Sequence, residues 1–555
     1  MKTIVFGFDA LDFRYLDLFD GSVPNISRLR DQGTEASLQS THPPWTGSAW
    51  PSMYTGTDPS HHGVYGFFTY DSYPDEGANV SRSNVQQPAL WNYLSKKGNR
   101  SIVMNVPVTH PAESLEGVLI PGYLATEDAM GYPEGVRDDL SDALGEEYTI
   151  YSSAEMSTDL DAKFDGYLEL IDQRRRAAVA LLERHEWDLA ILQVQKTDAV
   201  FHHFDEERRF RAVYEAADRV VGDVLEAVDE PVNVVLCSDH GIGPVSGYQI
   251  HINDILRSNG FVETIDDGGR STPSVDKGAL AETDRAGATD EDGGGDEDDA
   301  APSGLEKPLL FGRRLASRLG VEPVDVYAAA ERVGLGSTLV DLAPDTLKAT
   351  AVQESVDWRR SKAYCAKGSR MGIRVNLAGR EPDGVVPSSD YESVRDELIS
   401  LLSSLKTPDG EPAFEFVCRR EALYGGPYLE CAPDVCFLPT DMNHTVSHAL
   451  YGREFLPVEK HDHKPNGVFV GAGPGFSGDQ SSSQSQLSLT DIAPITMGLL
   501  GRSVPERMTG TVPDGLLTEQ PDRADYGTVP YGTDRSESRA NDEKVTERLE
   551  DLGYL

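Results

Sequence analysis

The sequence predicts an α/β protein with a doubly wound, mostly parallel sheet flanked by helices and an α+β cap region inserted into it. Three observations predict this. Short apolar, β-branched runs recur along the chain. Helix-length stretches with an apolar stripe separate them. Acidic residues and histidines stand immediately beside the runs, where doubly wound sheets carry their ligand sites.

The runs, in order, are TIVFGF from Thr3, SIVMNVP from Ser101, LAILQVQ from Leu189, VNVVLCS from Val232 and GVFVGAG from Gly467. Each is apolar on both alternating sets of positions, so each reads as a parallel strand buried on both faces. RRRAAVALLERHE from Arg174 and RRFRAVYEAADRVVGDVLEAV from Arg208 repeat their apolar residues at helical spacing. The core is assigned to 1–262 and 441–520, and the α+β cap region to 305–440. Residues 265–304 form an acidic, Gly-rich insertion, 477–487 and 520–545 are polar, and 521–555 is a largely disordered tail ending in a short helix. Such compositions bury too little apolar surface to offset the entropy of ordering.

The chain has 92 acidic against 50 basic residues, a net charge of −42. A nucleic-acid docking surface needs a basic footprint, so that class is excluded. Acidity on this scale fits a salt-adapted, halophilic cytoplasm, where counterions screen self-repulsion. No apolar run approaches the ~18 residues of a membrane span, and the start MKTIVFGFDALD reads as a first strand rather than a signal peptide. The expected location is cytoplasmic, without a membrane partner. The five cysteines are few and odd in number, against a disulfide framework. Cys431 and Cys436 read as small buried residues.

Carboxylates follow three of the strands: Asp9, Asp198 and Asp239. Brought to one sheet edge they would repel without a cation. His202 lies one helical turn after Asp198 and shares its face, while His203 points elsewhere. His240 adjoins Asp239, and His461 and His463 precede the last run; His463 is preferred because a Pro-Asn-Gly turn leads from it into the strand. Imidazole with carboxylate and no thiolate suits Zn, or Mn, in preference to Ca. Seven groups, counting Thr46, suit two ions, and a two-metal site serves in-line displacement at phosphorus. Thr46 lies in HPPWTGSAWP, a stiff Pro/Trp/Gly turn, and a threonine hydroxyl becomes a nucleophile only when its alkoxide is stabilised.

On these motifs the chain resembles the alkaline phosphatase superfamily and, within it, the type I phosphodiesterase/nucleotide pyrophosphatase family. PPWTGSAWPSMYTGTDPSHHGV looks like the nucleophile segment, FGFDALD and TDAVFHH like metal-binding elements, SDHG like the Asp-His pair and HKPNGVF like the late histidine element. The resemblance implies Asp198, His202 and His463 at one metal, and Asp9, Thr46, Asp239 and His240 at the other. It implies a phosphoester hydrolase working through a phosphothreonine. The asparagine that helps hold the phosphoryl oxygen in eukaryotic-type members is not matched, which leaves that donor unassigned. Arg380 is one candidate to grip a phosphate, against an exposed arginine of the cap. A diester preference is expected because no Arg or Lys lies between Arg30 and Arg82 around Thr46, and because Trp45 and Trp50 offer apolar walls. The alternatives are a phosphomonoesterase or sulfatase of the same superfamily, a cofactor-independent phosphoglycerate mutase, or a non-catalytic binding module. TGSAW lacks the C/S-x-P-x-R pattern of sulfatases, the mutase's serine-nucleophile pattern is absent, and a degenerate module would have lost ligands.

Overall fold

In the computed structural model the described residues are 1–69, 77–265, 355–366, 371–478, 486–532 and 543–551. The acidic insertion from 266, the cap region to 354, and most of the polar stretch at 477–487 lie outside them. β1 (Thr3–Phe8), β3 (Ser101–Val106), β5 (Leu189–Val194) and β6 (Asn233–Ser238) are buried at every position, as runs apolar on both faces require. β2 (Thr34–Gln39), β4 (Gly117–Pro121), β7 (Asn466–Ala472) and β8 (Leu487–Ser488) complete an eight-stranded sheet of order β8-β2-β7-β6-β1-β5-β3-β4.

β1 is parallel to both β5 and β6, with Phe8 level with Val194 and with Ser238. Three strands therefore end at one height. β7, expected to be parallel, runs antiparallel to β2 and β6. Its chain arrives through the strand Lys460–Lys464, which pairs with Gly241–Val245 beyond the carboxyl end of β6, so it enters the sheet from that edge. The helices α1 (Thr46–Thr55), α2 (Leu160–Arg184), α3 (Lys196–His203) and α4 (Glu207–Glu226) include both stretches expected from helical spacing. No helix among the described residues is long and apolar enough to cross a membrane.

A second apolar cluster, with Ile250, Leu256, Tyr364, Ile373, Leu398 and Phe437, forms the cap. Its four-stranded antiparallel sheet includes Gly372–Val375, Phe414–Arg419 and Val435–Pro439, with the helix Tyr391–Ser403 against it. Residues 250–262, assigned to the core from sequence, pack in this cluster instead. Trp45 touches both clusters. The start of the tail also departs from expectation. Arg523–Ala524 pairs with Val504–Pro505, Tyr526 and Val529 are buried, and Lys96 Nζ donates to the carbonyls of Tyr526 and Thr528, both at 2.7 Å. Two aromatic or branched side chains and a lysine cap suffice to dock a stretch that is otherwise polar. The helix α5 (Glu543–Asp551) buries Val545 and Leu549.

Candidate active site

The level ends of β1, β5 and β6 release their next residues at one edge. Asp9 leaves β1 directly, followed by Ala10 at φ 53°, a left-handed conformation that a non-glycine residue holds only under constraint. The Ala10 N–H donates to Asp239 Oδ1 at 3.2 Å, tying the two strand ends together. Asp239 and His240 occupy the bend after β6. α3 places Asp198 and His202 one turn apart. His463 comes before β7 rather than after it, and the antiparallel course of β7 brings it to the same edge.

Thr46 is not in a turn. It is the first residue of α1, whose ten residues are all buried although Pro51 lies inside it. The Pro, Trp and Gly that read as a stiff turn instead lead into and form this helix, with Trp45 as its N-cap and Gly47 and Pro51 inside it. A Cβ on Gly47 would come within 2.6 Å of the Gly66 carbonyl oxygen.

The predicted residues converge as two sets. In one, ligand atoms of Asp9, Asp239 and His240 lie within 4.8 Å of one another, and in the other those of Asp198, His202 and His463 do. Thr46 Oγ1 belongs with the first, 3.3 Å from Asp9 Oδ1 and 3.4 Å from His240 Nε2. His240 Nε2 is 3.4 Å from Asp239 Oδ2, and Asp198 Oδ1 is 3.2 Å from His202 Nε2 and 3.7 Å from His463 Nε2. The rings of His240 and His463 stack at 3.9 Å, so the sets share a wall. All these side chains are almost fully buried.

Three carboxylates in so little water strain one another. Burial, then the charges of Asp239 and Asp198, raise the Asp9 carboxyl well above its ordinary value, and burial raises Asp239. Burial works against Asp198 too, but the His202 ring beside it holds its carboxyl far below the usual range, and His202 is raised in return. Burial and the neighbouring His240 push His463 down to about 3, which keeps it neutral. The donor set fits cations. His463 Nδ1 faces the Pro44 carbonyl at 2.9 Å and His240 Nδ1 the Gly241 carbonyl at 3.0 Å, which turns each Nε2 lone pair toward the carboxylates. Asp239 Oδ2 makes no hydrogen bond among the described residues.

Other candidates lie elsewhere. His461 packs among Tyr15, Phe201 and Phe210. His203 bonds Tyr167 through Nδ1 at 2.8 Å. Arg380 is held bidentately by Asp434, at 2.7 and 2.6 Å, and by the Val375 carbonyl; it is neither an exposed cap arginine nor a phosphate grip. Trp50 is fully buried over Gly7 and walls no substrate space, whereas Trp45 is half-buried with its ring 5.2 Å from that of His463. Lys196 is remote from Thr46 in sequence, which gives no sign of its place beside the site. Two residues before Asp198, it is buried, paired with Glu155, and its charge reaches the Asp9 carboxylate. Cys237, Cys365 and Cys436 are buried, whereas Cys418 and Cys431 are only half-buried, so Cys431 does not follow the expectation of a small buried residue.

A family model described as Type I phosphodiesterase / nucleotide pyrophosphatase matches residues 3–301. The venom phosphodiesterase of Naja atra is 24% identical over 254 residues, which is 44% of this chain and 26% of that protein. Venom phosphodiesterase CdcPDE of Crotalus durissus collilineatus is 23% identical over 250 residues, again 44% of this chain and 26% of the relative. The match thus spans about a quarter of the curated relatives' length. Among solved structures, phosphonoacetate hydrolase from Sinorhizobium meliloti 1021 in complex with phosphonoformate superimposes with a TM-score of 0.52 at 14% identity. That alignment covers 90% of this chain and 96% of the hydrolase.

Proposed function

The chain belongs to the type I phosphodiesterase/nucleotide pyrophosphatase family, and from that membership we propose that it hydrolyses small phosphodiesters with Thr46 as nucleophile. Asp9, Asp239 and His240, with Thr46, hold one divalent cation, and Asp198, His202 and His463 hold the other; zinc is the first choice and manganese the second. The observation that carries the reading is that a buried hydroxyl at a helix N-terminus touches one ligand set, whose His240 stacks on His463 of the other.

Each part of the chain has a task. The first amides of α1, at Thr46 and Gly47, precede any intrahelical partner and face an anion with the positive end of the helix, so they serve as donors to a phosphoryl oxygen in place of the missing asparagine. Burial excludes water around Thr46 and keeps its hydroxyl aligned. The cations, when bound, supply the positive charge that stabilises the threonine alkoxide and the charge developing on phosphorus. Thr46 Oγ1 attacks phosphorus, the ester oxygen departs opposite to it, and water hydrolyses the phosphothreonine. Lys196 shares its charge with Glu155, leaving little to neutralise the second charge of a monoester, and half-buried Trp45 offers an apolar wall to a diester's second substituent.

Bis-aryl phosphates should show a higher kcat/KM than aryl phosphates, with aryl sulfates slowest, in protein loaded with Zn or Mn. Thr46→Ala should lose several orders of magnitude and the covalent intermediate, while Thr46→Ser keeps some rate. Faster monoester turnover would overturn the diester assignment, and near-parental rates in Thr46→Ala would overturn the nucleophile.

A further inference from the structure

The strand Phe414–Arg419 forms one edge of the cap sheet and runs antiparallel to Val435–Pro439. In that register Cys418 stands directly opposite Cys436. Residues opposite each other in an antiparallel pair present their side chains on one face, with Cα atoms about 4.5–5.5 Å apart. A disulfide accepts Cα separations of about 4.4–6.8 Å, so the register already meets its main geometric requirement. Both side chains join one small apolar cluster with Tyr65, Tyr424, Leu429 and Ala432. Cys436 is 1% exposed, whereas Cys418 is half-buried and within reach of a solvent reagent.

The chain between the two cysteines carries contacts from the cap to the segment around Thr46. Tyr424 Oη donates to the His42 carbonyl. The Gly426 N–H donates to Ser60 Oγ at 2.8 Å and the Tyr428 N–H to the Ser60 carbonyl at 2.9 Å. Tyr65 Oη returns a bond to the Tyr428 carbonyl at 3.1 Å, and the Tyr65 and Tyr424 rings meet edge to face at 5.2 Å. Thr46 lies between His42 and Ser60 in sequence. A cross-link at the root of this loop would hold together the two strands from which all these contacts spring.

We propose that Cys418 and Cys436 are a site of disulfide formation, and that the cross-strand bridge fastens the loop 419–435 against the segment 42–65. The co-reactant is a small disulfide. The Cys418 thiolate attacks one of its sulfurs, expels a thiolate and forms a mixed disulfide, which the Cys436 thiolate then resolves by displacing the second small thiolate. Two cysteine sulfurs are oxidised, the small disulfide is reduced to two thiols, and these take up the protons that the cysteines lose. Burial raises both cysteine thiols above their ordinary value, so thiolate is scarce and exchange is slow in both directions. The bridge is thus a staple and not a rapid sensor.

The experiment exposes the folded full chain to oxidised glutathione at about pH 9, where thiolates form, and then blocks remaining thiols and maps the peptides by mass spectrometry. We expect thiols to fall from five to three per chain, with a single cross-link between Cys418 and Cys436 that dithiothreitol reverses. The thermal midpoint should rise by about 2 °C or more on oxidation, since closing the loop restricts the unfolded chain. Amide exchange across residues 58–65 should slow in the oxidised chain. Cys418→Ser, at the half-buried position, should abolish both the bridge and the rise, each read as oxidised against reduced protein of the same variant. Cys431→Ser should keep both. Five remaining thiols, a lasting glutathione adduct on Cys418, or a bridge that uses Cys431 overturns the site. A midpoint or an exchange rate that oxidation leaves unchanged overturns the fastening.

Discussion

Gly7 sits under the Trp50 indole, and a Cβ built there would lie 2.5 Å from Trp50 Cη2. Gly7→Ala should therefore cost about 1–3 kcal/mol through overpacking. Trp50→Phe should recover part of that cost in the double variant, a non-additivity read by urea unfolding. Additive losses would mean that the ring is not what Gly7 accommodates. His62 offers a second residue-level test. Its Nε2 donates to Ser52 Oγ at 2.8 Å and its Nδ1 accepts from the Val64 N–H at 3.2 Å, an arrangement that needs the neutral ring, and burial pushes its pKa down to about 3. The unfolded chain binds that proton near pH 6.5. The contribution of His62 is thus complete above pH 6.5 and is lost as pH falls from there toward 3, by roughly 1.4 kcal/mol per pH unit. His62→Gln should show a correspondingly shallower fall in unfolding free energy between pH 7.5 and 5. Equal slopes in parent and variant would show that His62 is protonated in the fold.

At the scale of elements, the two histidines of the strand Lys460–Lys464 stand two residues apart and so share one face, yet they meet different neighbours along it. Here both point inward, His461 into an aromatic nest and His463 onto Asp198 and His240. His463→Ala should lose one of two ions per chain by elemental analysis, and its stacking on His240 should make the second ion easier to chelate. His461→Ala should retain both ions, and the opposite pattern would exchange their roles. What could be read beforehand follows the same logic. Asp9, Asp198, Asp239 and His240 were legible because a buried run followed by a charged residue has few meanings in an α/β protein. β2 and β4 were not legible, since TEASLQ and GVLIP are too polar or too short to stand out from loops. The direction of β7 was hidden because buried parallel and antiparallel strands share one apolar pattern. The burial of Trp50 against Gly7 is hidden because Pro, Trp and Gly imitate a turn where the chain forms a helix, and the approach of Lys196 to Asp9 is invisible along the chain.

Across the whole molecule, 42 surplus negative charges repel unless counterions screen them. The thermal midpoint should rise from dilute buffer to molar KCl; a flat or falling midpoint would count against salt adaptation. The order of strands carries a different consequence. β2, made early, touches neither β1 nor β6 and joins the sheet only through β7, which is made late and slides between β2 and β6. The same late segment brings His463 to residues that left the ribosome hundreds of positions earlier. Until it emerges, β6 has a bare flank, the strand leading to Thr46 has no place in the sheet, and one ligand set lacks a member. With the proposed ligand sets, a chain built this way cannot complete its site while β7 is still unmade. Translation that stalls before β7 would leave a fragment with β2 outside the sheet and no His463, so the proposed cation sites would close only when this strand seats between β2 and β6.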